Sequence, residues 1–226
     1  MGFIVKNTTF CSPLDLLCPH TCINCGALGK FLCDCCKNDI LADHADFCPA
    51  CKHPVVSNVP CVYCQLVPSV MVDWRDGVVG KLIREYKYHS VRAAGKVLAE
   101  LLDAVLPRID GKVVIVPLPT VQKHVRARGF DHTHKIAAMV AKWRGWKVER
   151  LLARASDTVQ VGADRDWRLV QAAKAYELVR EVDPETTYVL LDDVWTTGAS
   201  MKAALKKLQQ AGVSKSIIAV LAVSRA

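Results

Sequence analysis

What the sequence withholds narrows it before any motif is read. Its 11 cysteines all fall between Cys11 and Cys64, and the following 162 residues contain none. Arginine is missing from residues 1–66, where 4 Lys and 5 Asp leave a net charge of −1, whereas 26 basic and 17 acidic residues give the remainder a net +9. The two changes coincide, so the chain divides into a cysteine-rich head, residues 1–66, and a second part, residues 67–226. No apolar run approaches the roughly 18 residues that span a bilayer. Met1 to Lys6 has neither the n-region nor the h-region of a signal peptide. The expectation is a cytoplasmic protein without membrane insertion. Gly-Lys-Ser/Thr is absent, as is GxGxxG, which excludes a Walker A loop and a dinucleotide fingerprint.

What is present is a globular chain. With 226 residues, 51% of them hydrophobic and 23% charged, it buries a core, and disorder is excluded as its main theme. A net charge of +8 favours anionic ligands such as phosphates or nucleic acid, and that charge belongs to the second part.

In the head, Cys22/Cys25, Cys33/Cys36, Cys48/Cys51 and Cys61/Cys64 share the two-residue gap that lets both sulfurs grip one tetrahedral ion. Eight ligands suffice for two ions. Zinc suits them because thiolates are soft and a segment this small lacks the apolar area to fold unaided. Iron–sulfur clusters use other spacings, and disulfides need an oxidising compartment. Two successive ribbons or an interleaved cross-brace would both satisfy the pairs; the short gaps favour successive ribbons. Cys11, Cys18 and Cys35 are left over. Cys35, His20, His44 and His53 could compete as ligands but are read as bystanders.

The second part alternates strand and helix, the pattern of an α/β domain with a largely parallel sheet. Strands are predicted at 70–74, 113–117, 146–149, 187–191 and 216–223. Helices are predicted at 77–88, 91–106, 130–144 and 199–211, the third with Ile136, Met139, Val140 and Trp143 inward. Within Tyr188 to Ser200 an apolar strand ends in Asp192-Asp193, and Thr196-Thr197-Gly198 then opens a helix. Such a turn aims backbone N–H groups and hydroxyls into one concavity at a helix N-terminus, a cradle for phosphate. Adjacent carboxylates suit the two hydroxyls of a ribose diol. Phosphate and diol together point to a ribose 5-phosphate.

That segment resembles the PRPP-binding motif of type I phosphoribosyltransferases. A cysteine-ribbon head, Leu82-Ile83-Arg84-Glu85-Tyr86-Lys87-Tyr88, Val116-Pro117-Leu118-Pro119, Arg126-Ala127-Arg128-Gly129-Phe130 and the PRPP motif, in this order, are similar to the ComF family over nearly the whole length. The resemblance implies a type I phosphoribosyltransferase-like α/β domain, a mostly parallel sheet flanked by helices, with a small N-terminal double zinc ribbon. It implies binding of Mg-PRPP and a part in handling single-stranded DNA during natural competence, with competence and DNA-translocation proteins as partners. The alternative it carries is an active transferase moving ribose 5-phosphate from PRPP to a base or other amine.

Carried over by position, the resemblance makes Asp192 and Asp193 the ribose-hydroxyl ligands. Val194, Trp195, Thr196, Thr197, Gly198 and Ser200 then hold the 5′-phosphate. Pro117, Leu118, Pro119 and Thr120 form the pyrophosphate loop. Lys87, Arg126 and Arg128 are candidates to neutralise the diphosphate, with Mg2+ bridging its oxygens. The polar stretch after Arg154 looks like the family's flexible lid, with Gln160, Arg165 and Arg168 closing over the diphosphate. His89, His132 and His134 invite a general-base role, against which a surface or packing role is the simpler reading. The sequence departs from the family at Asp131-His132, where Asn-Gln is usual, and at Trp195, where a small aliphatic is common.

Overall fold

The computed structural model describes residues 20–42, 44, 46–56, 58–154 and 176–225. In the head, strands β1 (His20–Thr21) and β2 (Leu28–Gly29) form an antiparallel hairpin, followed by helix α1 (Asp34–Ala42). The second part opens with strand β3 (Ser69–Trp74), helices α2 (Val78–Tyr88) and α3 (Arg92–Val105) and strand β4 (Val113–Pro117). Helices α4 (Gln122–Arg128) and α5 (His132–Arg144) and strand β5 (Lys147–Val148) come next. Strands β6 (Leu152–Arg154), β7 (Tyr176–Leu178) and β8 (Thr187–Trp195), helix α6 (Ala199–Gln210) and strand β9 (Ser216–Val223) follow among the described residues.

Five strands make one sheet in the order β3-β9-β8-β4-β5, and every neighbouring pair is parallel. Parallel strands are covered on both faces, which is why β9 reads as an unbroken apolar run and is buried throughout. Alternate residues divide between two cores. Val70, Val72, Ile115, Val189, Leu191 and Ile217 face α2, α3 and α5. Met71, Val116, Leu190, Ile218 and Val220 face α6 and the antiparallel β6–β7 ribbon. The result is a three-layer α/β domain whose strand carboxyl ends share one rim, where such sheets bind ligands.

The head straddles edge strand β3 and feeds both cores. Cys22, Leu32 and Cys36 join the first core and Cys48, Cys61 and Leu66 the second. Lys37 pairs with Glu100 of α3 at 2.7 Å, and a His44 ring nitrogen lies 3.4 Å from the Val72 carbonyl on the free edge.

Three differences from the sequence reading have physical causes. β8 runs four residues past Leu191, because its partner β9 continues as a buried strand and pairs Asp192 with Val220 and Trp195 with Val223. Trp143 is 45% exposed instead of inward. Arg144 turns inward there, its guanidinium bonding Asp103 Oδ1 at 2.6 Å and the Leu106 and Pro107 carbonyls at 2.9 and 2.7 Å, so it caps the end of α3. Helix α4 and the β6–β7 ribbon are too short to leave a period in the sequence.

Candidate functional site

Side chains alternate across a strand, so consecutive residues at the end of β8 point to opposite faces of the sheet. Asp193 has the parity of Leu191 and meets the helices α2 and α5. Asp192 has the parity of Leu190 and faces α6 and the β6–β7 ribbon. The two carboxylates that look like one acidic pair in the sequence therefore stand in different surroundings.

Asp192 borders a concavity of about 50 Å³ shared with Thr196, Thr197, Gly198 and Ser200. Gly198 has φ of +74°, and its missing side chain is essential, since a Cβ there would collide with the Trp195 indole. That indole is 3% exposed and packs in the second core, so its ring supports the turn from below and is closed to stacking. Thr197 Oγ1 accepts from Ala199 N at 3.4 Å, and Ala199, Ser200 and Met201 of the first turn of α6 border the concavity. Burial lifts the Asp192 carboxyl to about 7, against the opposing pull of Lys87 and Arg154.

The loop after β4 lies beside this turn, tied by the Leu118 N–H to the Leu191 carbonyl at 2.8 Å. Pro117, Pro119 and Thr120 border a cavity of about 520 Å³, together with Asp131, Arg150 and Arg154. Leu118 itself is buried. Arg154 borders the larger concavity, and its charge acts on Asp192 at the smaller one. Its Nε donates to the Pro119 carbonyl at 3.2 Å, and its guanidinium lies 5.8 Å from the Tyr176 ring centre. Asp131, which would repel a diphosphate if free, caps α5 by accepting from His134 N at 3.2 Å. It also accepts from Thr120 Oγ1 at 3.3 Å and has Arg150 at 3.8 Å.

On the other face Asp193, 7% exposed, is ion-paired with Lys87 and lies 3.3 Å from His132 Nε2. Burial lowers Lys87 to about 8, with Asp192 opposing the shift and Arg128 and Arg75 adding to it. Arg128 stacks over Tyr88 at 5.7 Å and bonds His132, whereas Arg126 is exposed on α4. His89 is exposed and held by Glu85 at 2.9 Å, and burial, then Arg150, lowers His134. Gln160, Arg165 and Arg168 lie outside the described residues, as do Cys11 and Cys18.

Sequence reasoning missed Arg154, Arg150 and Tyr176. Arg154 earns its place through the pairing of β6 with β7, and no local pattern around it signals that contact.

The eight paired cysteines form two sets, Cys22, Cys25, Cys33 and Cys36, and Cys48, Cys51, Cys61 and Cys64, with the sulfurs of each set within 4.8 Å of one another. These are the successive ribbons. Sγ–Sγ separations of 3.6, 3.5 and 3.4 Å are far beyond a disulfide bond and near the ~3.8 Å edge of a tetrahedron with ~2.3 Å metal–sulfur bonds. Three of the four loops repeat one turn. Gly26, Lys52 and Gln65, each following the second cysteine, have φ of +75°, +62° and +59° and donate to the Cys22, Cys48 and Cys61 carbonyls. The fourth pair sits at the start of α1. The donor set fits zinc, and Cys35 stands outside it.

No family model matches this chain, and no curated protein matches it. A solved structure that resembles it is a glutamine phosphoribosylpyrophosphate (PRPP) amidotransferase from B. subtilis complexed with ADP and GMP. That likeness has 18% identity and a TM-score of 0.42, and covers 61% of this chain and 30% of the other.

Because the ribbon thiols lie within both cores, stripping bound metal should loosen more than the head. Protein purified with zinc is expected to contain about two ions per chain. A chelator should lower Tm and raise reactivity of the buried thiols. Full metal content loss with unchanged Tm would contradict this.

Proposed function

We propose that this chain is a ComF-like protein that binds Mg-PRPP at the rim of its sheet and takes part in handling single-stranded DNA during natural competence. The observation that carries the reading is the meeting, at one strand-end rim, of the Asp192 carboxylate, the Thr196–Ser200 turn and the Pro117–Thr120 loop. In this reading the turn and the α6 N-terminus take the 5′-phosphate, and Asp192 and Asp193 serve the ribose hydroxyls. Asp193 does so by exchanging its Lys87 contact. The diphosphate lies toward Pro117–Thr120, with Lys87, Arg126, Arg128 and Arg154 supplying positive charge. Mg2+ enters on the diphosphate and keeps most of its water. Gln160, Arg165 and Arg168 close over the complex and exclude water. Zinc in both ribbons fixes the head against β3.

Support for the nucleic-acid role is a groove of about 560 Å³ bordered by Arg92, Arg128, Phe130 and Lys135, with buried Tyr86 beneath Phe130 and the 70% exposed Tyr88 beside it. Cations interleaved with aromatic rings suit a single strand, whose phosphates and bases they engage together. Among the described residues no helix is long and apolar enough to cross a membrane.

A second reading, active transfer, is favoured by Asp192, whose carboxyl titrates near 7 at the edge of the cradle. An acceptor nitrogen would attack C1 of PRPP as the C1–oxygen bond breaks. The electron pair leaves on Mg-bound pyrophosphate, and the proton shed by the nitrogen passes to a base poised near neutrality.

Calorimetric titration with Mg-PRPP tests the site. Binding is expected in the wild type and is lost in a folded variant carrying Asp192→Asn and Asp193→Asn; equal affinity in the two would overturn the assignment. Pyrophosphate release in the presence of bases, ammonia or single-stranded DNA separates the transferase from the binding protein. Oligonucleotide affinity should fall about tenfold or more between low and physiological salt, and a flat response would exclude a backbone-led mode.

A further inference from the structure

Behind the site, three side chains from three elements form a line. Arg128 Nη1 lies 3.0 Å from His132 Nδ1. A guanidinium can only donate, so Nδ1 carries a lone pair and the ring proton sits on Nε2. That Nε2 faces two acceptors, Asp193 Oδ2 at 3.3 Å and Thr133 Oγ1 at 3.2 Å. The imidazole is 4% exposed. The charged and titratable groups around it are Lys87 from α2, His124 and Arg128 from α4, and Asp193 from β8. Burial first, and then Lys87, Arg128 and His124, lower its pKa to about 3, so a second proton has no place on the ring at neutral pH.

Asp193 Oδ2 needs such a partner. It is fully buried and makes no hydrogen bond of regular geometry, with the Lys87 ammonium against it and the His132 N–H approaching from α5. A buried carboxylate oxygen left to one ion pair has unused acceptor capacity, and the imidazole N–H addresses it.

We propose that His132 is a positioning residue, a neutral Nε2–H imidazole that links Arg128 at the end of α4 to Asp193 at the end of β8. The link fixes the separation between a guanidinium on the diphosphate side and a carboxylate on the ribose side. The meaning of that separation rests on the phosphoribosyl reading; the link itself rests on the Arg128–His132 hydrogen bond and the 3.3 Å approach of the ring to Asp193 Oδ2. His132 is thereby excluded as a general base, because its one lone pair is taken by Arg128. A glutamine, the residue usual at this place in the resembled family, can accept with its oxygen and donate with its nitrogen, and so can replace the ring in kind.

The test reads the ring directly. Nitrogen-15 NMR of the imidazoles, with His132 assigned by its loss in His132→Gln, should show the Nε2–H form unchanged from about pH 8 to about pH 4.5. Arg128→Met, which removes a cation and the donor to Nδ1, should raise the pKa of the ring. In Mg-PRPP titrations His132→Gln should stay within about threefold of wild type, and a folded His132→Ala should weaken about tenfold or more. An Nδ1–H tautomer, or titration near the ordinary 6.5, overturns the link. Unaltered PRPP affinity in His132→Ala overturns the positioning role. Should the wild type fail to bind PRPP while the ring is found as Nε2–H, the phosphoribosyl reading falls and the link stands.

Discussion

The two-residue alternation that β8 keeps from Tyr188 to Asp193 in an all-parallel sheet governs this protein. Because β8 stays paired with β9 as far as Trp195, its side chains keep alternating through Asp192 and Asp193. One carboxylate goes to the rim that faces the turn, the other to the buried side where α2 and α5 meet the sheet. Burial alone would force the second to protonate or find a cation, and Lys87 supplies the cation. The first keeps access to the phosphate cradle and carries a raised pKa. The division of the acidic pair, the short reach of Lys87 and the line through His132 to Arg128 all follow from that register.

The head depends on the same sheet. β3 is an edge strand, and an uncovered edge invites pairing with other chains. The two ribbons lie against it, one contributing to each core, so the buried thiols serve as packing as well as ligands. Three equivalent turns at Gly26, Lys52 and Gln65 place the sulfurs, and the fourth pair uses the first turn of α1. Arg144 acts similarly at the opposite end of the helical layer, where it bonds the Leu106 and Pro107 carbonyls just past α3 and fixes α5, the helix that presents His132.

Much of this was legible in the sequence because the signals were local. Buried parallel strands announce themselves as apolar runs, and 113–117 and 216–223 were bounded to the residue. Cysteine gaps gave both ligand sets, and the short spacers favoured the successive arrangement. What stayed hidden depends on pairing across long separations. Arg154 meets Pro119, Asp192 and Tyr176 only after β6 pairs with β7. His132 gains a partner only once α4, α5 and β8 converge. Trp195 stands where the resembled family has a small aliphatic, and what its ring does shows only in the fold, where it is buried in the second core beneath Gly198. Asp131, a departure from the resembled family, is occupied by helix capping and by Thr120, which only the meeting of two loops brings to it.

Opposite roles for two neighbouring carboxylates make the most direct claim of this account, and equilibrium denaturation of Asp192→Asn and Asp193→Asn at about pH 8 tests it. Asp192 has its folded-state pKa raised to about 7, so its contribution favours folding at low pH and is lost as pH rises through that value. Replacing it with a neutral amide should therefore stabilise the protein at pH 8, and the gain should vanish toward pH 4. Asp193→Asn strands Lys87 in a buried site and should destabilise. The loss should be about 2 kcal/mol, less than the ~3–5 kcal/mol of a broken buried pair, because Lys87 titrates near 8 and can shed its proton. Changes of opposite sign are the predicted result; two variants that shift stability in the same direction by similar amounts would contradict it.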